Sequence, residues 1–209
     1  MNKICEFIDV NKTFNGREIY PSNLSFAINK GEKYGIAGKS GSGKSTVLNL
    51  IMGFLSPDKG KLSLLGENIS KESVFNFRRH CSWIPQSFNF LNGMTVENVV
   101  LYPFSYVNNQ NLKPLKAKII EYLDLVKLKP DILMNDINEL SGGERQRICS
   151  VIALLLERDI IILDEPTSNL DAEVSDDVMN IFFRSDKTII ISTHDKNIYD
   201  KCDKLLELS

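Results

Sequence analysis

The chain has 209 residues, of which 43% are hydrophobic and 25% are charged, and its formal net charge is −2. This composition is typical of a globular protein, and a charge so close to zero gives no sign of attraction to nucleic acid or to a membrane surface. The longest apolar run, residues 151–156, is far shorter than the roughly 20 residues of a membrane-spanning helix, and no signal-peptide segment is recognisable. Four widely spaced cysteines are typical of reduced thiols, so we expect a cytoplasmic protein.

The first 52 residues predict a small β layer followed by a strand and a helix. Apolar and polar residues alternate over residues 3–30, which predicts an antiparallel hairpin layer: Asn15 and Gly16 give a turn signal, and residues 24–28 are typical of a second strand. A short buried strand is then predicted over residues 33–37, and apolar residues at helical spacing predict a helix over residues 47–52.

A glycine-rich loop joins that strand to that helix. Its pattern, G-x-x-x-x-G-K-S, is matched by Gly38, Gly43, Lys44 and Ser45. Glycines let backbone N–H groups wrap a polyphosphate, and the following helix N-terminus favours an anion. Lys44 adds a charge for the β- and γ-phosphates, and the Ser45 hydroxyl suits Mg²⁺. The alternative is a Gly/Ser-rich turn that only joins a strand to a helix.

The middle of the chain predicts two further strands and then a change of character. Residues 61–66 form one strand candidate, and residues 81–86 form another that Pro85 stops. Residues 87–111 show little periodicity apart from a short helix near 96–100, and Pro114 then opens an amphipathic helix. We interpret residues 87–150 as a mainly helical insertion.

The last third of the chain predicts the rest of an α/β core. Four consecutive aliphatic residues within 159–165 indicate a strand buried on both faces, which is typical of a parallel sheet. A helix is predicted over 174–183, followed by further strands over 187–192 and 204–208. Because ligands bind beyond the carboxyl ends of such strands, Gly38, Asp164 and Thr193 should converge.

Two acids end the buried strand. An ionised carboxylate there is costly without a cation or donors, and Mg²⁺ and a water nucleophile would supply both. Asp164 would hold the metal directly or through water, and Glu165 would orient and polarise the attacking water. Two acids at a solvated strand end are the alternative.

Residues 140–147, Leu-Ser-Gly-Gly-Glu-Arg-Gln-Arg, predict a helix start, because Ser141 and Glu144 have the spacing of a capping box. This could be only a well-capped helix. Gly142 and Gly143, however, cost helix stability in the first turn, and the approach of something bulky and anionic would explain them.

Taken together, the phosphate loop, the acidic pair and residues 140–147 resemble the ATP-binding-cassette (ABC) ATPase family over essentially the whole chain. The resemblance implies a single α/β domain with a P-loop NTPase (RecA-like) core, a mostly parallel sheet, an N-terminal antiparallel β layer and an inserted helical subdomain. Residues 1–86 and 151–209 would form the core, and about 87–150 the subdomain.

The same resemblance assigns site residues. Glu165, His194, Lys44 and Gln86 would be catalytic, and Ser45, Gln86 and Asp164 would hold Mg²⁺. ATP would contact Phe14 through adenine, the loop residues Gly38, Lys39, Ser40, Gly41, Ser42, Gly43, Lys44, Ser45 and Thr46, and, from an opposite subunit, Ser141, Gly142, Gly143 and Asp171.

Several of these residues have other readings. Gln86 could be an ordinary loop amide, His194 a satisfied strand-end histidine, and Phe14 a packing residue of the hairpin, with Tyr20 as a rival for stacking on adenine. The sequence also departs from the family pattern: Asn169 stands where alanine is common, and Phe14 replaces a more usual tyrosine.

The resemblance implies an ATPase that dimerises head to tail on ATP binding and drives a separate membrane permease, which would hold it at the inner face of the cell membrane. Residues 83–103 and 194–196 are similar to small two-component exporters, and Phe88, Phe90 and Leu91 could contact the permease or pack in the core. A soluble ABC ATPase that clamps nucleic acid or a ribosome is the alternative. A kinase or GTPase would not explain residues 141–143.

Overall fold

A computed structural model describes residues 3–88 and 93–208. Phe90 and Leu91, two candidate permease contacts, lie outside these residues. The chain forms two compact units: Met1–Cys81, Asp159–Glu165 and Asp186–Ser209 make the first, and Ser82–Arg158 and Pro166–Ser185 make the second. Residues 87–150 fall within the second unit, and their status as a separate subdomain stays a prediction.

The strands follow the predicted pattern closely, with bounds that differ by a residue or two. In chain order they are β1 Lys3–Asn11, β2 Thr13–Phe14, β3 Arg17–Glu18, β4 Leu24–Asn29, β5 Lys33–Gly38, β6 Lys59–Leu64, β7 Glu67–Asn68, β8 Cys81–Ile84, β9 Ile160–Asp164, β10 Thr188–Thr193 and β11 Lys204–Leu208.

An antiparallel sheet of order β4-β1-β6-β7 forms the N-terminal layer of the first unit. Phe7 of β1 faces Phe26 of β4 and Leu62 of β6, and the Phe7 and Phe26 rings stack with centroids 4.4 Å apart. The predicted turn at Asn15 and Gly16 closes the small β2–β3 ribbon rather than the β1–β4 pair. Both turn residues have positive φ, as a tight hairpin turn requires.

A parallel sheet lies beneath the site, with β11, β5, β10 and β9 side by side in that order. Every residue of β9 and β10 is buried, as expected for aliphatic strands covered on both faces. Ala37 pairs with Thr193, and Asp164 pairs with Ser192. The predicted convergence of three strand ends is therefore confirmed, and so is the α/β class with its antiparallel layer.

The helices of the first unit are α1 Lys44–Ile51, α2 Lys71–Arg79 and α7 Lys196–Tyr199, and those of the second are α3 Val96–Leu101, α4 Lys116–Leu125, α5 Gly142–Leu155 and α6 Ala172–Phe183. Short 3₁₀ turns at Tyr102–Ser105, Val107–Leu112, Pro130–Met134 and Ile137–Glu139 complete the second unit. Pro114 precedes α4, which is amphipathic as predicted: Ile119 and Leu123 are buried, but Leu115, which its spacing places on the same face, is 79% exposed. Among residues 3–88 and 93–208, no helix combines the length and apolar character needed to cross a membrane.

Candidate functional site

The phosphate loop connects β5 to α1 and is shaped by its glycines. Gly41 and Gly43 have φ of 81° and 95°, a left-handed conformation that favours glycine. A Cβ on Gly43 would also lie only 2.8 Å from atoms of Ile19 and Tyr20. Within the described part of the chain, the Ser42 hydroxyl is buried without a hydrogen-bond partner. A phosphate oxygen would satisfy this hydroxyl, so the loop suits an anion.

Lys44 is buried and folds back over its own loop. Its Nζ donates to the carbonyl oxygens of Gly38 and Lys39 at 2.9 and 3.2 Å. The same Nζ lies 3.2 Å from Oε1 of Glu165. A buried ammonium held between carbonyl and carboxylate oxygens is already placed where an incoming phosphate would need a cation.

Ser45 and Asp164 meet although 119 residues separate them in the chain. The Ser45 hydroxyl donates to Oδ1 of Asp164 at 3.2 Å, and the buried Ser192 hydroxyl donates to the same oxygen. A hydroxyl beside a carboxylate is a set of hard oxygen donors, which is the chemistry that Mg²⁺ prefers. The residues present therefore fit this metal.

Glu165 has an unusual backbone and a fully engaged carboxylate. Its φ is 48°, a conformation that costs a non-glycine residue about 1–3 kcal/mol. Its N–H donates to the carbonyl oxygen of Ser192 at 3.0 Å. Oε1 faces Lys44, and Oε2 lies 2.8 Å from Nδ1 of His194. The carboxylate is thus held between two groups that can each bind a phosphate.

His194 follows β10 and has an exposed side chain. It lines a cavity of about 490 Å³ together with Gly38, Lys39 and Tyr199. The structure thus brings Lys44, Asp164, Glu165 and His194 to one edge of the first unit's sheet.

Phe14 and Tyr20 differ sharply in exposure. The Phe14 side chain is 41% exposed, and Nζ of Lys12 lies 5.8 Å from its ring centroid. Tyr20 is 2% exposed, and its hydroxyl donates to the Gly43 carbonyl oxygen at 3.1 Å. The rival interpretation of Tyr20 as the stacking residue is wrong, because its ring is packed against the phosphate loop.

The second unit carries the remaining candidates. Gln86 is exposed and follows Pro85. Ser141 caps α5 in the predicted capping box, and Asp171 caps α6 by accepting from the Val174 N–H at 2.9 Å. Asp171 therefore has a structural role in addition to the one implied by the resemblance.

Asn169 lies against Gly142 and Gly143 at the start of α5. A Cβ on Gly143 would lie 2.8 Å from the Asn169 carbonyl oxygen, and one on Gly142 would lie 3.4 Å from the Asn169 side chain. The Asn169 N–H donates to the Gln146 side chain at 3.2 Å. Close backbone packing thus suffices to exclude a side chain at Gly143, whereas a Cβ on Gly142 would make only ordinary contacts.

The capping box makes a pH-dependent contribution to stability. Hydrogen bonds from the Ser141 hydroxyl, at 2.7 Å, and from its N–H lower the pKa of Glu144 from the ordinary value of 4.5. The resulting stabilisation is present above that ordinary value and is lost as the pH falls through the lowered pKa.

Glu144→Gln keeps an acceptor that cannot titrate in this range. The difference in free energy of unfolding between the wild type and this variant should therefore shrink as the pH falls from about 7 to about 3 in urea titrations. A difference that stays constant with pH would contradict this assignment.

A phosphate loop beside two strand-end acids on a parallel sheet defines a P-loop nucleotide-binding protein. The sequence profile of the ABC transporter family matches residues 21–168. The chain belongs to this family.

Named relatives support this assignment. The macrolide export ATP-binding/permease protein MacB of Chlorobium phaeobacteroides is 36% identical over 208 residues, which cover 95% of this chain and 31% of that protein. The ABC transporter ATP-binding protein YtrE of Bacillus subtilis is 36% identical over 186 residues, which cover 84% of this chain and 79% of that one. The chain thus spans only about a third of the first relative.

Solved structures agree on the fold. The dimeric structure of a post-hydrolysis state of an ATP-binding cassette, bound to ADP and Pi, matches with a TM-score of 0.83. It is 26% identical and covers 98% of this chain and 94% of that one. The predicted P-loop NTPase fold is therefore confirmed.

Proposed function

We propose that the chain binds Mg²⁺ and ATP at the edge of the parallel sheet and hydrolyses ATP as a head-to-tail dimer that drives a separate membrane permease. The observation that carries this proposal is the cluster of Lys44, Ser45, Asp164, Glu165 and His194. A cation, a metal-binding oxygen pair, a candidate base and a histidine stand together at the mouth of the phosphate loop.

Each residue has a role in the proposed reaction. The backbone of residues 38–46 wraps the phosphates, and Lys44 and His194 bind the γ-phosphate oxygens. Ser45 and Asp164 would hold Mg²⁺, which when bound neutralises phosphate charge. Glu165 takes the proton of the attacking water on its carboxylate.

Both oxygens of the Glu165 carboxylate have a partner within the chain. Lys44 and His194 hold them at 3.2 and 2.8 Å. An arriving γ-phosphate competes for the same two groups. Nucleotide binding therefore releases the carboxylate for water at the moment when a substrate is present.

The opposite subunit would complete the site through Ser141, Gly142, Gly143 and Asp171. Support comes from the exposed Ser141 and Asp171 and from the dimeric state named for the solved cassette. Phe14 is the proposed adenine-stacking residue, because its ring is exposed.

Mixing two inactive variants tests the shared site. Lys44→Ala disables the phosphate loop of its own chain, and Ser141→Arg disables the contribution to the opposite one. In a mixed dimer both defects fall in one site, and the other site is intact. Random mixing should recover about a quarter of the wild-type ATPase rate, since half of the dimers carry one intact site of two. Mixed dimers without any recovery would contradict the head-to-tail arrangement.

The permease is the second part of the proposal, and it would place the chain at the inner face of the cell membrane. Affinity purification from detergent-solubilised membranes should recover an integral membrane protein, and recovery of none would count against a transport role. Export is the proposed direction, because residues 83–103 resemble small two-component exporters and MacB is named for export. The proposed contact surface includes Phe88, which is half-buried.

A further inference from the structure

Ser192 is a buried polar residue that the reaction scheme above does not use. It follows three isoleucines in β10 and is 0% exposed. A buried strand of this kind needs no hydroxyl at that position, and burying one is costly unless it is hydrogen-bonded. The reason for this serine must therefore lie in its contacts.

Those contacts join the two acids. The Ser192 hydroxyl donates its proton to Oδ1 of Asp164, and it accepts from the Glu165 N–H at 3.2 Å. The Ser192 carbonyl oxygen accepts from the same N–H at 3.0 Å. The Ser192 side chain thus contacts both Asp164 and Glu165, and its main chain also contacts Glu165.

Both contacts bear on geometry that the reaction needs. Asp164 has two carboxylate oxygens, and the Ser192 and Ser45 hydroxyls both fix Oδ1. The orientation of the carboxylate is therefore set before a metal arrives. Glu165 has the left-handed φ of 48°, which persists only where its surroundings hold it. The hydroxyl and carbonyl oxygens of Ser192, which both accept from the Glu165 N–H, stabilise this backbone conformation.

We propose that Ser192 is a positioning residue for ATP hydrolysis, which aims the Asp164 carboxylate at the metal and holds the Glu165 backbone so that its carboxylate stays at the mouth of the phosphate loop. This inference rests on the proposed function. It does not require Ser192 to touch ATP, and it separates metal positioning from the binding of nucleotide by the phosphate loop.

The test compares Ser192→Ala with Ser192→Thr, which keeps a hydroxyl, and with Thr188→Val as a matched control. Thr188 lies on the same strand, is 1% exposed, and accepts from the Gly31 N–H at 2.9 Å, at the end of β10 away from the site. Both deletions remove one buried hydroxyl, so their effects on thermal stability should be similar.

Three measurements follow on the full-length variants. For Ser192→Ala we expect kcat to fall about tenfold or more, and the affinity of the protein–ATP complex for Mn²⁺, read by electron paramagnetic resonance, to fall several-fold. Affinity for ATP in EDTA should stay within about twofold. Ser192→Thr should recover most of the kcat, and Thr188→Val should keep wild-type kcat and Mn²⁺ affinity.

Two results would overturn the inference: wild-type kcat and Mn²⁺ affinity in Ser192→Ala, or equal losses in Ser192→Ala and Thr188→Val. Failure of the proposed function would look different, because Glu165→Gln would then hydrolyse ATP as fast as the wild type. The Mn²⁺ measurement does not depend on turnover, so it tests the positioning role of Ser192 even if the isolated chain hydrolyses ATP slowly.

Discussion

Glu165→Gln should leave ATP bound and reduce its hydrolysis at least about 100-fold, because removal of a general base costs about that much. The amide keeps the size of the side chain and can still contact Lys44 and His194, but it cannot take a proton from water. We therefore expect an ATP-stabilised dimer with little turnover. Phosphate release measures the rate, and light scattering with ATP measures the dimer.

Glu67→Gln is the matched control, since Glu67 is an exposed glutamate of β7 in the same unit. It should hydrolyse ATP at the wild-type rate. Wild-type hydrolysis in Glu165→Gln would remove Glu165 from the role of base and leave only a structural role for its carboxylate.

Lys44→Ala should weaken nucleotide binding itself, by about 10- to 100-fold, since hydrogen bonds to charged groups contribute this much. Lys44 also lies 3.2 Å from the Glu165 carboxylate, so the variant leaves a buried carboxylate with one cationic partner fewer. Titration with a fluorescent ATP analogue gives the affinity, and thermal melting reports any loss of stability.

Lys61→Ala controls for the loss of a positive charge, because Lys61 is exposed on β6. Its nucleotide affinity should match the wild type. Unchanged affinity in Lys44→Ala would refute the role of Lys44 in phosphate binding and would leave the loop's backbone as the source of affinity.

The parts of the site that the sequence predicted are those in which chemistry forces a local pattern. The glycines and Lys44 must lie within one loop, and a run of aliphatic residues must precede Asp164 if its strand is buried. Convergence of these strand ends follows from the parallel sheet. The order of strands, with β10 between β5 and β9, does not follow from any local pattern.

What could not be predicted depends on contacts between residues far apart in the chain. An aromatic residue in a hairpin has the same local pattern whether it is exposed, as Phe14 is, or packed on the phosphate loop, as Tyr20 is. Gly143 likewise has no room for a side chain, because the Asn169 backbone lies against it. For Ser192 a signal existed: a serine ends an aliphatic run that should be buried, in a strand near two acids.

The backbone of Glu165 has a consequence for how this position could vary. Glycine or asparagine would adopt a φ of 48° with less backbone strain, but each would also remove the carboxylate that faces the buried Lys44. Only glutamate brings the carboxylate. Backbone strain and side-chain chemistry therefore favour different amino acids at position 165, and the fold carries the strain of the residue that the proposed reaction needs.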